Sequence, residues 1–478
     1  MGSFLSQIRL FTGLAIGLLS TSTLCSLPSA RLSAEETNNA GYAIVATPNV
    51  LADASWSEVV EALKTKYENQ YVVTVIKWDD DAFSRLREVF PKYVCFVVQP
   101  EEATTEALGT IWQKTRELDD DPYGDVIWSI ITGYDSGDAL RLAKVQDCQI
   151  ERACGGTSIP LTYFRSGVVF DEGKKNHWRV KKEGEAEEDR NDAPDDTTRA
   201  IAEELNKAQL FVTSGHASER NWSIGYSYKN GFFAAKDGNL YGVPSNDKPF
   251  HIQAAGSKIH LASGNCLFGH IDKPDCMALA MIRDANVDML MGYVVPTWFG
   301  YMGWGVMDYY VEQPGRFTVS EAVFANNQAL LHLLEKDAQD IANGVSEDKR
   351  LSDTKRKGLL FDRDVVALYG DPAWQNGLVP QDSGWKQTLS SEPSDNGETK
   401  WTLTIEPLKG QASYKLVDGN GSERSGRPFV QLLPRRVSDV KILTGEEYNP
   451  VITDNFILIP ATQSVCDGST FSVTFSSK

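Results

Sequence analysis

The sequence is short of positive charge and of long apolar runs. Its 478 residues include 47 Lys and Arg against 65 Asp and Glu, a formal net charge of −18. Nucleic acids and anionic membrane surfaces bind basic faces, so this balance excludes both as partners and favours solubility. Beyond the first thirty residues, no stretch reaches the roughly 20 apolar residues that cross a bilayer. We therefore expect a mature chain without a transmembrane segment.

Histidine and cysteine are also scarce, at 6 and 7 residues. None of them shows the short paired spacing of a zinc site, so we predict no metal centre of that kind. The sequence likewise contains no internal repeat and no low-complexity tract. Its composition, with 41% hydrophobic and 10% aromatic residues, is that of an ordinary globular protein. At this length we expect two or three domains.

Residues 1–30 have the pattern of a signal peptide. Arg9 is the only charge before an apolar run over residues 10–19, and small residues follow as far as Ala30. The pattern predicts a secreted, periplasmic or cell-surface protein. Lipid attachment at Cys25 is an alternative, although the residues before it fit a lipobox poorly.

Export makes disulfides the first expectation for the remaining cysteines. Six cysteines are left once Cys25 is removed, and an even count in an exported protein favours pairing. We expect Cys148 to pair with Cys154, because the two are close enough in sequence to close a small loop. A catalytic thiol among the six would leave at least one other unpaired.

Residues 40–180 have the alternation of an α/β fold. Strand-like runs at 42–47, 71–76 and 93–98 are interspersed with helical patterns near 82–90 and 104–118. Such alternation predicts a mostly parallel sheet covered by helices. Ser55 and Glu58 have the spacing of a capping box at a helix start, as do Thr318 and Glu321 further on.

An acidic segment, residues 181–198, separates this region from a second strand–helix series over residues 199–380. We expect the segment to be a linker or surface loop, because it is dense in charge and nearly free of large apolar residues. Four more buried strands are predicted after it, at 210–213, 259–262, 289–295 and 365–369. Asp275 is the expected N-cap of a helix in this region.

The pattern changes again at about residue 384. Short apolar runs separated by turn residues replace the helical periods, which predicts a small all-β sandwich over residues 385–478. The runs are 401–405, 413–416, 429–433, 440–443, 456–459 and 471–475.

Two strand ends carry groups that can catalyse acyl transfer. His216 comes shortly after the run at 210–213, and Cys266 follows the run at 259–262. Functional groups collect beyond the carboxyl ends of parallel strands, so the two side chains would face each other if these strands are neighbours. The thiolate is the nucleophilic form of cysteine, and an imidazole can take its proton and return it to the leaving amine. The backbone N–H groups of Cys266 and Ala217 would be placed to bind the oxyanion.

One cysteine and one histidine fifty residues apart are a weak signal on their own. A buried packing cysteine and a structural histidine are the more common occurrence of each residue. We interpret His251, His260 and His270 as structural, although His270 is near enough to Cys266 to be a rival base. No third residue that orients His216 is identifiable from spacing.

Five short motifs follow one another along the chain, and their order is more specific than any one of them. They are Gly215-His216-Ala217 with Trp222, Cys266 with Gly269, the segment 276–280, the segment 292–298 with its Trp, and Gly370-Asp371-Pro372. This order resembles the gingipain-type cysteine peptidases, members of the caspase-like fold group. The resemblance covers residues 41–478 and is sharp between about 205 and 375. Ala217 departs from it, since the family has Gly there.

The resemblance implies a caspase-like, mostly parallel sheet flanked by helices, followed by an immunoglobulin-like sandwich. It implies a Cys266–His216 dyad that needs no cofactor, with calcium bound in some relatives at a site that nothing here fixes. Asp121 matches the segment that supplies an acidic specificity residue in arginine-cutting members, and Trp298 matches a pocket wall. A solvated acidic turn is the alternative for Asp121.

Three functions remain in view. The first is an exported cysteine endopeptidase that acts on proteins or peptides through a Cys266 acyl-enzyme, with His216 as general base. The second is a sortase-like transpeptidase of the same fold. The third is an inert relative that serves as a binding or scaffold domain.

Overall fold

The computed structural model of the protein describes residues 41–381, 384–394, 397–407, 426–461 and 469–478. The predicted signal peptide and the predicted strand at 413–416 lie outside these ranges. No helix within them is long and apolar enough to span a membrane.

Ten α-helices and 23 strands are assigned in the described ranges. The helices are α1 Pro48–Ala52, α2 Ala54–Tyr67, α3 Ala82–Val89, α4 Thr105–Lys114, α5 Ser136–Ala143, α6 Thr198–Lys207, α7 Met277–Asp284, α8 Tyr301–Tyr310, α9 Val319–Ala342 and α10 Asp353–Asp362. The strands up to residue 380 are β1 Gly41–Ala46, β2 Val72–Lys77, β3 Tyr93–Val97, β4 Ile127–Ile131, β5 Arg152–Gly155, β6 Ser166–Phe170, β7 Trp178–Lys181, β8 Glu188–Arg190, β9 Leu210–Gly215, β10 Asn221–Ser223, β11 Phe232–Lys236, β12 Asn239–Val243, β13 Phe250–His251, β14 Lys258–Asn265, β15 Val287–Tyr293 and β16 Val366–Tyr369. The strands after it are β17 Trp385–Pro393, β18 Thr399–Pro407, β19 Phe429–Leu432, β20 Lys441–Thr444, β21 Val451–Ile452, β22 Phe456–Ile459 and β23 Phe471–Ser477.

One large sheet of 12 strands organises residues 41–380. Its order is β2-β1-β3-β4-β16-β15-β14-β9-β5-β6-β7-β8, so strands from both predicted subdomains share it. Most neighbours are parallel, but β15 and β16 are antiparallel, as are β6 with β7 and β7 with β8. The α/β class predicted from the sequence, a mostly parallel sheet flanked by helices, is confirmed.

The central strands are buried on both faces. Every residue of β15 is buried, and so are seven of the eight in β14. Strands covered by helices on both sides need continuous apolar runs, which is why these two were visible in the sequence. An antiparallel sheet of β10 to β13 is inserted between β9 and β14.

The C-terminal strands form two antiparallel sheets, β17-β18-β23-β20 and β19-β22-β21. Side chains from both sheets share one apolar core, which includes Trp401, Leu403, Ile457 and Phe475. The second sheet also contributes Phe456 to the core of the large α/β region, where its ring meets the ring of Tyr123 edge-on.

Arg427, just before β19, reaches from this C-terminal region into the α/β region. Its guanidinium pairs with Asp308 at 3.0 Å, and both side chains are at least 96% buried. The same guanidinium lies 4.2 Å above the ring of Tyr301. Tyr301 and Asp308 belong to α8, so a charge from the C-terminal region is buried against that helix.

Several local predictions are corrected by the structure. The acidic segment 181–198 is not a plain loop, because residues 188–190 form β8, the outer strand of the large sheet. Cys148 and Cys154 are free thiols, so the predicted disulfide is wrong. The capping box at Thr318 and Glu321 is confirmed.

The two other cap predictions are wrong, and each misses by a short distance along the chain. Asp53 rather than Ser55 caps α2, because its carboxylate accepts the backbone N–H groups of Ser55 and Trp56. Cys276, not Asp275, holds the N-cap position of α7, and its side chain makes no capping bond.

We expect Arg427→Ala to lower the free energy of unfolding by about 3–5 kcal/mol, because it removes one member of a buried ion pair. Chemical denaturation followed by tryptophan fluorescence measures the change. Lys64→Ala is the matched control, since Lys64 forms an exposed pair with Glu61 that contributes at most about 1 kcal/mol. Equal losses in the two variants would contradict the assignment of Arg427.

Candidate active site

Neighbouring parallel strands bring His216 and Cys266 to one edge of the large sheet. Strands β9 and β14 are paired in parallel, and the last residues in register are Gly215 and Asn265. His216 directly follows the first of these and Cys266 directly follows the second. Because adjacent strands lie about 4.8 Å apart, the two residues leave the sheet side by side at its carboxyl end.

A buried set of polar side chains ties these two strand ends together. The Thr213 hydroxyl donates to the Asn265 side-chain oxygen at 2.6 Å, and the Asn265 amide donates to the Gly215 carbonyl at 3.0 Å. The Nε2 atom of His260 lies 2.9 Å from the same hydroxyl. Burial lowers the pKa of His260 to about 3, so this imidazole is neutral and structural. Each bond joins one strand to the other.

Cys266 stands in a tight turn that leaves its thiol half-buried. Its Sγ donates to the Thr297 carbonyl across 3.6 Å. Leu267, the next residue, has a left-handed φ of 58°, which costs about 1–2 kcal/mol in a residue with a side chain. Its N–H donates to the Val295 carbonyl at 3.1 Å, which holds the turn against the end of β15. Strained backbone of this kind concentrates at functional sites.

The imidazole of His216 is exposed at the other strand end. Gly215 before it has a φ of +90°, a conformation that glycine adopts cheaply. The His216 carbonyl accepts the Ser223 N–H at 2.9 Å, which anchors the backbone. The ring of Tyr226 stacks on the imidazole, with centroids 5.1 Å apart and planes 23° from parallel.

Ala217 does not have the positive φ that a glycine at its position would suggest. The turn that follows His216 is closed by the residues on either side of Ala217. The His216 carbonyl accepts from Ser223, and the Ser218 N–H donates to the Asn221 carbonyl. Neither of these two hydrogen bonds uses the Ala217 N–H, which is compatible with its predicted role as an oxyanion donor.

The other two candidate histidines lie apart from this arrangement or beside it. His251 is in β13, where its Nε2 pairs with the Asp284 carboxylate at 2.6 Å. His270 is half-buried in the turn after Cys266, and its backbone N–H donates to the Leu267 carbonyl. His270 therefore stays the rival base to be tested.

Glu172 is a carboxylate at this edge that the sequence analysis missed. It follows β6, the second strand beyond β9, and its carboxylate accepts the Thr157 hydroxyl at 2.8 Å. Its other oxygen is buried with no hydrogen-bond partner, and burial raises the pKa of Glu172. The signal was available in the short apolar run at 166–170, which was not predicted as a strand and is followed directly by two acidic residues.

Trp298 lies beyond the carboxyl end of β15 and is 54% exposed. Its ring contacts those of Phe299 and Phe361. Trp298 directly follows Thr297, whose carbonyl accepts from the Cys266 thiol. Its role as a pocket wall stays a prediction. Helix α8 follows and packs on β14, with Gly303 against the Ser263 carbonyl, a contact that leaves no room for a side chain.

Asp121 precedes β4, which is three strands away from β14 in the order of the large sheet. Its neighbours are Asp119 and Asp125, whose carboxylate oxygens and its own all lie within 4.8 Å of one another. Arg436 of the C-terminal region donates to the Asp125 carbonyl beside them. Burial raises the pKa of Asp121 to about 6. The specificity role of Asp121 stays a prediction.

Oxygen donors of this type suit calcium, which takes 6–8 oxygen ligands. Three carboxylates supply part of such a shell. Calcium binding stays a prediction.

Comparisons with known proteins add little to this geometry. Neither a protein-family model nor a curated protein matches the chain. One solved chain, "Structure of Protease", is similar over 77% of this chain and 84% of its own length. Its sequence identity is 10% and its TM-score 0.38, values at which the likeness carries no argument about mechanism.

The acidic cluster leads to a pH prediction. Burial, followed by the charge of Asp119, raises the pKa of Asp125 to about 8. Between pH 4 and 8 the folded state therefore binds more protons at this site than the unfolded state, so stability from this group is lost as the pH rises. We expect the melting temperature of Asp125→Asn, relative to wild type, to increase from pH 5 to pH 9.

Differential scanning calorimetry across this range measures the effect. Asp80→Asn is the control for the Asp-to-Asn change itself, because Asp80 is exposed and lies outside the acidic cluster. A difference for Asp125→Asn that stays constant from pH 5 to pH 9 would contradict the prediction.

Proposed function

We propose that the protein is a cysteine endopeptidase of the gingipain type, with Cys266 as nucleophile and His216 as general base. The observation that carries the proposal is the register of β9 and β14. The two residues follow the last paired positions, Gly215 and Asn265, of adjacent parallel strands. A nucleophile and a base one strand spacing apart, beyond the carboxyl ends of a sheet, are the arrangement that acyl transfer needs.

The reaction begins when His216 takes the thiol proton and the thiolate of Cys266 attacks the carbonyl carbon of the scissile peptide. The tetrahedral intermediate collapses as the C–N bond breaks, and His216 returns the proton to the departing amine. Water, deprotonated by His216, then attacks the thioester and releases the carboxylic acid and the free thiol. In the resting structure the thiol donates to Thr297 instead, so the Cys266 side chain turns towards the imidazole when substrate binds.

The oxyanion of the intermediate would be held by the backbone amides of Cys266 and Ala217. Preplaced amides contribute more to such a step than flexible donors, because they need no reorganisation when charge develops. A left-handed residue lies close to each amide in the chain: Leu267 follows Cys266, and Gly215 comes two residues before Ala217. We assign these two turns the role of pre-orienting the oxyanion site.

The remaining described cysteines are poor nucleophile candidates. Burial raises the pKa of Cys148 to about 11 and of Cys276 to about 12, and it raises the pKa of Cys95 and Cys154 as well. Their thiolates are therefore rare near neutral pH, and the thiolate is the reactive form.

Two alternatives share part of this site. A transpeptidase would use the same acyl-enzyme but release it to an amine, and an inert scaffold would bind peptides without reaction. The strain at Leu267 beside the nucleophile favours a catalytic site over an inert one. Product analysis with added glycine amide or hydroxylamine separates hydrolysis from transfer. We further propose that the protein acts outside the cytoplasm, as the pattern of residues 1–30 predicts.

Labelling with peptidyl acyloxymethyl ketones tests the proposal. We expect modification of Cys266 in the wild type, located by peptide mapping, and none in Cys266→Ala. In His216→Ala the labelling rate should fall by at least about 100-fold, because the thiolate loses its base. Probes with Arg, Lys and apolar side chains next to the reactive group report the pocket preference.

Two controls accompany this experiment. Among the described cysteines, Cys148 is the other half-buried free thiol, and Cys148→Ala should label like wild type. His270→Ala should also keep activity. If His270→Ala is inactive while His216→Ala is active, His270 rather than His216 is the base. If no probe labels the folded protein, the peptidase proposal is wrong and the binding-domain alternative is favoured.

A further inference from the structure

We infer that Tyr226 is the positioning residue that orients the His216 imidazole, in the place of a hydrogen-bonded carboxylate or amide. The inference rests on the proposed function, because it assigns a role within the same Cys266–His216 site.

The imidazole needs such a partner. In cysteine and serine hydrolases a third side chain normally binds the far ring nitrogen of the base and fixes its orientation. Among the described residues, none forms a hydrogen bond or ion pair with the His216 side chain. Its identified side-chain contact is the stacked ring of Tyr226, at 5.1 Å and 23°. Stacking restricts the plane of the imidazole while leaving both ring nitrogens free for proton transfer.

Tyr226 is itself held firmly, although its side chain is 61% exposed. Its backbone N–H donates to the Glu172 carbonyl at 2.6 Å, and the Ser227 N–H donates to the same oxygen at 3.1 Å. The Tyr228 hydroxyl donates to the Asp171 carbonyl at 2.7 Å. Three hydrogen bonds therefore fix the loop to the end of β6, and Gly225 provides the left-handed turn, with φ +77°, that leads into it.

The exposure of the ring argues for a role at the site. A large aromatic side chain that is 61% exposed adds little to core packing, so stability does not explain the rigid attachment of its backbone. Aromatic stacking is worth about as much as a hydrogen bond when the pair is fixed in geometry. The ring plane, rather than the phenol hydroxyl, is the part of Tyr226 that contacts the imidazole.

The test compares Tyr226→Leu with Tyr226→Phe. Leucine removes the aromatic plane, whereas phenylalanine keeps it and removes only the hydroxyl. Phe232→Leu is the matched control, because Phe232 is a partly exposed aromatic residue of β11, the strand that follows the Tyr226 loop. Each variant is measured for kcat and KM with the best peptide substrate, for melting temperature, and for the rate of Cys266 alkylation by iodoacetamide. Iodoacetamide carries no peptide side chain, so its rate reports the dyad independently of substrate pockets.

For Tyr226→Leu we expect kcat and the alkylation rate to fall about tenfold, with KM changed less than twofold and the melting temperature unchanged. Tyr226→Phe and Phe232→Leu should stay within about twofold of wild type. Alkylation of Tyr226→Leu at the wild-type rate, a rise in KM alone, or an equal loss in Tyr226→Phe would each overturn the inference.

The same measurement distinguishes failure of the inference from failure of the proposed function. If alkylation of Cys266 in the wild type is fast and depends on His216, the dyad stands whatever Tyr226 does. If wild type and His216→Ala are alkylated equally slowly, the proposed dyad fails, and the role of Tyr226 fails with it.

Discussion

The candidate site depends on the parallel pairing of β9 with β14. That pairing alone places two residues fifty positions apart in the chain next to each other. It is reinforced at its open end, where the ladder would otherwise fray, by the buried bonds among Thr213, Asn265 and the Gly215 carbonyl. Buried polar groups stabilise a structure only when they are satisfied, so these contacts fix the register at the point where it determines the spacing of thiol and imidazole.

The surroundings of the pair are arranged in two layers. Helix α8 packs on β14 through the close approach of Gly303 to Ser263, and Arg427 of the C-terminal region is buried against the other side of that helix. The turn after Cys266 is tied to the end of β15 through Leu267. Cys266 therefore follows a strand that is covered by a helix, and that helix is held by an ion pair from a distant part of the chain. His216 and Tyr226, in contrast, lie on more exposed loops.

The sequence predicted the parts of this structure that arise from local or periodic signals. Buried parallel strands such as β15 are continuous apolar runs, and the capping box at Thr318 has a fixed spacing, so both were found. Asp53 was missed because Ser55 and Glu58, just after it, have the spacing of a capping box and favoured a later helix start. Strand β8 was missed because an edge strand made of charged residues has no apolar period.

Within the site, His216 and Cys266 were predictable because each follows an apolar run, and the resemblance supplied their pairing. Tyr226 and Glu172 were not, because their positions depend on backbone bonds between two loops that the sequence does not mark. The disulfide between Cys148 and Cys154 failed for a related reason. Closeness in sequence does not determine the geometry between a loop and a buried strand.

The place of β16 in the large sheet has a consequence for how the chain reaches its native state. This short strand is the last of the α/β region to be synthesised, yet it lies at the centre, between β4 and β15. Strands β1 to β4 can pair early, and β9, β14 and β15 can pair among themselves. In the described part of the chain, the sheet joins these two sets through β16. Contacts between segments so far apart in sequence form slowly. A nascent chain in which β16 is not yet synthesised would expose two unpaired sheet edges, on β4 and on β15. We therefore expect the complete sheet to form after synthesis of the α/β region rather than during it.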